Sequence, residues 1–336
     1  MKKLRLGVLG ASRHYGLRVA TPLRDSLLIE PYGIASRNSE KARDYAEKWD
    51  FPVSYGSYEA LFGDPDIDFV FITLPNHLHL EYIKKAADAG KPVICEKPLG
   101  LNAAEAAEAA AYCEKRAVPL MEAFMYPFHP QWRRAFEIVK SGELGRVMTV
   151  SGTYSYTNKD PGNIRNVAAF GGGGMLDIGC YLVSASRRLM EAEPLRSCCS
   201  MVRDAEFGVD SHASAILDFG GGRTAVFSVS TQLFPRQEVT AHGTAGVLSV
   251  ELPFNMYADA PGRVHVRTNI GGRCVETEIA DQYLLEFDAF AEALLEGAPV
   301  PIPVSDAVDN LAAIDALFRS AESGGWEPVA RPRGQA

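Results

Sequence analysis

The sequence predicts a two-domain α/β protein: an N-terminal Rossmann doubly wound parallel sheet, then a C-terminal α+β domain with a large open, mostly antiparallel sheet. Three observations predict it. Up to residue 123, short apolar runs alternate with helix-type segments through short links. The first of these runs breaks into a glycine turn, Gly7-Val-Leu-Gly10-Ala-Ser12. From Leu195 to Glu278 the alternation is that of strands with one face to cover. At 336 residues the chain suits two domains better than one core. The domains read as 1–123 and 124–330, with the last helix, 305–323, packing back on the first.

Composition narrows the class. Apolar residues make up 47% and charged residues 23%, ordinary for a globular chain. The net charge, 34 − 42 = −8 with no long basic block, argues against nucleic acid or an anionic membrane as a partner. Six cysteines (95, 113, 180, 198, 199, 274) show no Cys-x-x-Cys spacing and no His cluster beside them, which reads as reduced thiols and a cytoplasmic location. The start, Met1-Lys-Lys-Leu-Arg-Leu-Gly7, runs into a strand without the apolar core of a signal peptide. No run of about 18 apolar residues reads as a spanning helix.

Leu4–Leu9 reads as the first strand, and the segment from Gly10 to about Asp25 as a turn and a helix. Such a turn lets backbone N–H groups at a helix start meet a pyrophosphate, which makes Gly7, Gly10, Ser12, Arg13 and His14 cofactor candidates. Ser12 stands where the dinucleotide fingerprint has its second glycine, and Gly16 comes one residue late for the third. Ser12 offers a hydroxyl to a phosphate; an ordinary turn accounts for the same residues. The second strand, near Tyr32–Ala35, ends in Ser36-Arg37-Asn38 before the helix Glu40–Lys48. A NAD site carries an acidic residue here. A hydroxyl and a guanidinium suit the 2′-phosphate of NADP instead, and a polar cap with a solvated arginine is the other reading.

Val53–Tyr55 (strand), Tyr58–Phe62 (helix) and Asp68–Thr73 (strand) follow. Leu74, Pro75, Asn76 and His79 open the helix Leu80–Ala89, with Asn76 and His79 expected to cap its start and border the cofactor. His77 and His79 have no third ligand near them in sequence, so no metal is expected. Gly90-Lys-Pro92 ends that helix, and the strand Val93–Cys95 delivers Glu96-Lys97-Pro98. The carboxyl ends of strands are where open α/β sheets hold ligands. A lysine there can donate to a carbonyl oxygen or an alkoxide, although a lone Glu-Lys-Pro also suits a surface lysine after a strand. The helix Ala103–Arg116 and the strand Leu120–Ala123 complete the alternation.

After Glu122–Pro130 come a helix, Gln131–Ser141, and a strand, Arg146–Tyr156. The segment Thr157–Phe170 is irregular and polar and carries Lys159, Asn163 and Arg165. Four glycines, Gly171–Gly174, open the helix Met175–Met190 and are expected to let substrate and nicotinamide approach the backbone. Asp177 and Tyr181, at i and i+4, share a helix face. A free phenol titrates at about 10 and needs a neighbouring cation to work near neutrality. Lys97 is the candidate cation, with Asp177 orienting either group; a face packed on the sheet is the alternative. Six strands are expected: Arg196–Arg203, Ser211–Phe219, Arg223–Thr231, Arg236–Ala241, Val247–Glu251 and Arg263–Ile279. With few helices to cover it, their sheet is expected to meet a second subunit in a homodimer or homotetramer. The helices Gln282–Leu295 and Ser305–Ser323 end the chain.

Together, the Gly7–Ser12 turn, Leu74-Pro-Asn-x-x-His79, Ala89-Gly-Lys-Pro-Val-x-Cys-Glu-Lys-Pro98, Glu122-Ala-Phe-Met-Tyr126, Gly171–Gly174 and Asp177-x-Gly-x-Tyr181 resemble the glucose–fructose oxidoreductase/inositol dehydrogenase/MocA-type (Gfo/Idh/MocA) oxidoreductases, over about residues 3–330. The resemblance implies that Lys97 binds the reacting oxygen beside the nicotinamide and that the Lys97–Pro98 peptide is cis. Tyr181 stands where inositol dehydrogenases carry His, which points to the branch of NADP-dependent D-xylose 1-dehydrogenases, dimeric trans-1,2-dihydrobenzene-1,2-diol dehydrogenases and sugar 3-ketoreductases. The N-terminal arm by which glucose–fructose oxidoreductase retains its cofactor has no counterpart before the first strand, so exchangeable NADP is expected. The implied activity is hydride transfer between NADP and a secondary alcohol, hemiacetal or ketone of a sugar or cyclic diol. Tyr181 handles the proton, Lys97 lowers its pKa, Asp177 orients them, and Arg165 reaches cofactor or substrate. Tyr126, His129, Tyr154, Tyr156 and Asn163 line the pocket. A non-catalytic NADP-binding regulator is the reading from another class; such relatives usually lose part of the Lys/Tyr pair retained here. A glycosidase cycling a tightly held NAD fits Ser36-Arg37 badly.

Overall fold

The computed structural model describes residues 3–332; Met1 and Lys2 of the Met1–Gly7 stretch lie outside them. The chain divides into two compact units. One runs to Met125 and includes Gln282–Ala307; the other holds Tyr126–Asp281 and the residues from Val308.

In the first unit, β1 (Leu4–Leu9), β2 (Ile29–Ala35), β3 (Val53–Tyr55), β4 (Phe69–Ile72), β5 (Val93–Glu96) and β6 (Leu120–Ala123) form a parallel sheet of order β3-β2-β1-β4-β5-β6. That order reverses direction between β1 and β4, the switch point at which doubly wound sheets open a crevice at their carboxyl ends. β4 is Phe-Val-Phe-Ile with all four side chains buried, as a strand covered on both faces requires. The crossover helices are α1 (Ser39–Trp49), α2 (Tyr58–Phe62), α3 (His79–Asp88) and α4 (Ala103–Lys115). Asn38, Ser57 and Asn102 cap α1, α2 and α4, accepting the N–H groups of Lys41, Ala60 and Glu105 at 2.9, 3.1 and 3.0 Å. Each such cap contributes about 1 kcal/mol. The helix Gln282–Glu296 belongs to this unit, with Phe287 edge-on to Phe71 at 4.9 Å and Phe290 against Phe69 at 5.7 Å. Across the glycine turn the structure corrects the expected helix to Asp25. A π-helical turn, Tyr15–Val19, is followed by a 3-10 turn, Pro22–Asp25. Pro22 has no N–H to continue the ladder and starts a turn of its own.

The second unit contains α5 (Pro130–Lys140), β7 (Val147–Thr157), α6 (Cys180–Met190), β8 (Arg196–Arg203), β9 (Asp210–Asp218), β10 (Thr224–Ser230), β11 (Gln232–Gly243), β12 (Gly246–Glu251), β13 (Pro261–Thr268) and β14 (Gly271–Ile279). The helix Gln282–Glu296 of the first unit is α7; α8 (Ser305–Ser323) and β15 (Glu327–Pro328) complete the chain. The sheet has nine strands in the order β14-β13-β12-β11-β7-β10-β9-β8-β15, with β7 and β10 parallel and the other pairs antiparallel. α5 packs on β12–β14 and α6 on β7 and β11. In β13 Val264 and Val266 are buried while Arg263, His265 and Arg267 are exposed, the alternation of a sheet covered on one side.

Two expectations are revised here. Arg263–Ile279 is a hairpin, because Gly271 turns the chain at φ +143°. From Val308 onward α8 lies in the second unit. Its Ser320 hydroxyl accepts the Cys199 N–H at 2.8 Å, and Asn310 donates to the Cys180 carbonyl at 3.1 Å. α7 is the terminal helix of the first unit, while α8 serves the second. Among the described residues no helix is long and apolar enough to cross a membrane.

Candidate active site

At the carboxyl end of β1, Gly10 has φ +100°, and a Cβ there would lie 3.0 Å from Leu74 Cδ2 and Thr73 Oγ1. The φ calls for glycine, and the contacts add a tight fit. The Thr73 hydroxyl lies 2.9 and 3.0 Å from the Leu9 and Gly10 carbonyls, fastening the ends of β1 and β4 together. Ser12 Oγ accepts the Tyr15 N–H at 3.1 Å, which leaves its own proton to donate. Arg13 beside it is exposed. Gly7 is buried and makes room for Leu61 and Ile67, whose atoms a Cβ would meet at 2.8 and 3.0 Å. It is a packing residue of the strand, which corrects its assignment to the phosphate turn.

At the end of β2, Ser36 is buried and its Oγ accepts the Asn38 N–H at 3.3 Å, so this hydroxyl too keeps a proton to donate. Arg37 is exposed and hydrogen-bonds the Tyr58 hydroxyl; burial pushes that phenol up, and Arg37 opposes the shift.

β5 ends in Glu96 and a cis Lys97–Pro98 peptide, with Lys97 half-buried. His14 Nε2 lies 3.0 Å from Glu96 Oε1 and thereby links the β1 turn to the β5 end. Burial pushes the Glu96 carboxyl up, but His14 and Lys97 outweigh it and hold the carboxyl below its usual range. His79 is wholly buried, with Nδ1 2.9 Å from the Pro98 carbonyl and Nε2 2.8 Å from the Leu74 carbonyl. A neutral imidazole has one N–H and serves one of these carbonyls at a time; burial pulls its pKa down. His79 therefore ties the Leu74-Pro75-Asn76 loop to the residue after Lys97. The N-cap positions of the 3-10 turn Asn76–Leu78 and of α3 are held by Pro75 and Leu78, neither with a side-chain cap bond, in place of the expected Asn76 and His79.

Two carboxyls stand behind this loop: Glu122, which opens the Glu122-Ala-Phe-Met-Tyr126 motif, and Glu286, which no motif marks. Glu122, on β6, accepts the Leu99 N–H at 2.8 Å. Glu286, on α7, is buried and bonded to the Phe124 backbone, and its Oε1 has no hydrogen-bond partner among the described residues. Burial, then the Glu96 and Glu122 carboxyls, push Glu286 well above the usual range. Both effects favour the protonated carboxyl.

In the second unit, Asp177 lies in a π-helical turn, Met175–Gly179, that runs into α6, and Tyr181 is the second residue of α6. The expected continuous α-helix thus begins with a wider turn, in which the Cys180 N–H reaches back to the Met175 carbonyl. Arg165 Nε lies 2.9 Å from Asp177 Oδ1, and the Tyr156 hydroxyl donates to Oδ2 at 2.6 Å. Asp177 holds the Arg165 guanidinium well above its usual range, while burial and then Asp177 push the Tyr156 phenol up. Tyr156 is consequently a protonated donor. Asn163 Oδ1 accepts the Arg165 N–H at 3.1 Å and caps the turn that presents Arg165. Tyr181 is 6% exposed, with the rings of Phe254 and Tyr154 at 5.0 and 5.7 Å.

Two pocket expectations are corrected. Tyr126 is fully buried against Trp132 and Phe254, with its hydroxyl 2.7 Å from Ser184 Oγ. His129 is also fully buried; Nδ1 accepts the Gln131 N–H at 3.2 Å as the cap of α5, and burial pulls its pKa down to about 4. Both are core residues that sit beneath Tyr181 or cap a helix. The glycine run has another use as well: a Cβ on Gly172 would meet the Arg165 carbonyl oxygen at 2.4 Å, and one on Gly173 the Asp210 carboxylate at 2.0 Å. Among the described residues no group of three or more His, Cys, Asp or Glu could hold a metal ion.

Residues 4–124 match the model of an oxidoreductase family with an NAD-binding Rossmann fold, and residues 132–249 match that family's C-terminal domain. The chain belongs to the Gfo/Idh/MocA oxidoreductases. It is 37% identical to a D-xylose 1-dehydrogenase (NADP(+)) of Haloferax volcanii, over 96% of this chain and 98% of the relative. With a trans-1,2-dihydrobenzene-1,2-diol dehydrogenase of Xenopus tropicalis it shares 33% identity, over 67% of each chain. A 3-ketoreductase from Actinomadura kijaniata, solved in complex with NADP and TDP-benzene, superposes with a TM-score of 0.89 at 28% identity, covering 95% of this chain and 98% of the other.

Proposed function

We propose that the protein is an NADP-dependent oxidoreductase of the D-xylose 1-dehydrogenase type, acting on a secondary alcohol, hemiacetal or ketone of a sugar. The observation that carries this reading is the set of groups along one edge of the parallel sheet. The Gly10 turn, the proton-bearing Ser36 hydroxyl with Arg37, and Glu96-Lys97 stand at the carboxyl ends of β1, β2 and β5. These residues fit a dinucleotide, and a hydroxyl with an exposed guanidinium fits a 2′-phosphate. Leu74, Pro75 and Asn76 line the same edge.

A nicotinamide cofactor held along this edge would supply the hydride-transfer chemistry. In this reading Lys97 stabilises negative charge developing on the substrate oxygen and Tyr181 gives or takes the proton there. Asp177, tied to Arg165 and Tyr156, holds the start of Tyr181's helix. Tyr154, Tyr156 and Asn163 would border the sugar. The exposed Leu233 and Phe234 on β11 and Val226 on β10 support pairing of two copies through the sheet, as a homodimer or homotetramer. All six cysteines are free thiols, which supports a cytoplasmic location.

An NADP⁺-coupled screen of aldoses, keto-sugars and cyclic diols, read by absorbance of the reduced cofactor, tests the reading. Turnover of a cyclic diol or a nucleotide-linked 3-keto sugar in preference to aldoses would move the assignment to a dihydrodiol dehydrogenase or a 3-ketoreductase. Binding of NADP with no turnover anywhere would make the protein a regulator. Lys97→Met and Tyr181→Phe are expected to bind NADPH as the parent does and to lose turnover; an unchanged kcat in both refutes the mechanism.

A further inference from the structure

We propose that Asp210 is a positioning residue for Asp177 and Tyr181: its buried carboxylate grips the backbone at the start of their helix and sets where both side chains stand. Its catalytic consequence rests on the reading above, in which Tyr181 handles the proton.

The first turn of a helix leaves N–H groups without partners inside the helix. They are usually met by a Ser, Thr, Asp or Asn at the residue before the turn. Here that residue is Gly174, and no side-chain cap comes from the local chain. Instead Asp210, at the start of β9 and 2% exposed, accepts the Met175 N–H on Oδ2 at 2.6 Å from 35 residues away. The Gly174 N–H is bonded to the same carboxylate.

Space for this carboxylate exists because two glycines face it. A Cβ on Gly173 would lie 2.0 Å from Asp210 Oδ1, and one on Gly174 would lie 3.4 Å from Oδ2. Gly173 also adopts φ +114°, which side chains rarely do. On its other side the run is held by Arg165: the Gly173 N–H donates to the Arg165 carbonyl at 2.9 Å, and Gly172 packs on the same peptide. The Asp177 N–H then donates to the Gly173 carbonyl at 3.1 Å, and its carboxylate meets Arg165 Nε at 2.9 Å. The glycine run is clamped between the Arg165 backbone and the Asp210 carboxylate, and the helix phase that presents Asp177 and Tyr181 starts from that clamp. Without the carboxylate, the N–H groups of Gly174 and Met175 lose their acceptor and the π-helical turn loses its anchor.

The test compares Asp210→Asn, which retains one acceptor oxygen, with Asp210→Ala, which retains none. Loss of such bonds at a helix start is expected to lower kcat about tenfold in Asp210→Asn and about 100-fold in Asp210→Ala, with KM changed less than about threefold. NADPH affinity, read by fluorescence titration, is expected to stay at the parent value. The second readout does not depend on turnover. In ζ-¹³C-tyrosine NMR, with Tyr181→Phe for assignment, the Tyr181 resonance is expected to shift in both variants and further in Asp210→Ala. An Asp210→Ala protein that unfolds cooperatively with the parent's kcat and parent Tyr181 resonance overturns the proposal. If Asp210→Ala does not fold, Asp210→Asn decides by the same criteria. If the parent turns over no substrate, the functional reading has failed, and the Tyr181 resonance alone decides the positioning role.

Discussion

Asp177→Asn separates the ion pair from the helix that carries it. In the parent, Arg165 Nε–H and the Tyr156 hydroxyl approach the two carboxylate oxygens at 2.9 and 2.6 Å. Asparagine keeps the shape, removes the charge and replaces one acceptor with an NH₂ donor. One of the two partners must then face a donor. The Asp177 side chain is 12% exposed and that of Arg165 is 39% exposed, so water relieves the guanidinium but little else. A hydrogen bond to a charged group nets about 1.5–3 kcal/mol. The cost of about 3–5 kcal/mol for stranding a fully buried charge is an upper bound, because Arg165 is partly solvated. A loss of about 2 kcal/mol follows from these figures. In a cooperative unit of this size it lowers the thermal midpoint by about 4–8 °C. Calorimetry of parent and variant at neutral pH measures this, and the coupled NADP assay is expected to show kcat reduced about 100-fold with NADPH affinity unchanged. A midpoint within about 1 °C of the parent, with kcat retained, would refute the reasoning that these three side chains form one network.

Further expectations concern the first unit. Arg37→Ala is expected to weaken NADP binding about 10- to 100-fold and leave NAD binding unchanged, as titration of the two cofactors would show; equal losses for both would remove Arg37 from the 2′-phosphate. Glu286 has a folded-state pKa raised well above its ordinary value, by burial first and then by Glu96 and Glu122. The folded state therefore holds that proton more tightly than the unfolded one, and the resulting stability is full at acid pH and fades as pH rises through the folded-state pKa. Glutamine mimics the protonated form, so Glu286→Gln is expected to match the parent's thermal midpoint at pH about 4 and to exceed it increasingly as pH rises. A variant less stable than the parent at every pH would show that Glu286 is ionised in the fold.

Much of the first unit was legible because its signals are local. Four consecutive apolar residues at β4 and the glycine turn after β1 each follow from the preferences of a few neighbouring residues. Glu96-Lys97-Pro98 stood out because charge ends an apolar strand abruptly. The hairpin at Gly271 was missed because strand alternation persists across a two-residue turn.

By itself the sequence determined the class of fold, the order of its elements and the edge of the sheet where Ser36, Arg37 and Lys97 stand, since periodicity and strand ends are properties of short stretches. Only the tertiary structure decided what individual polar residues do. His79 faces two backbone carbonyls, Tyr126 and His129 lie in the core, and Asp177 is bound to Arg165 and Tyr156. Asp210 meets Met175 from 35 residues away, and Glu286 joins the carboxyls behind Lys97 from a helix near the end of the chain. Such pairings depend on how distant segments pack, and neither the two-residue nor the 3.6-residue period carries a record of that.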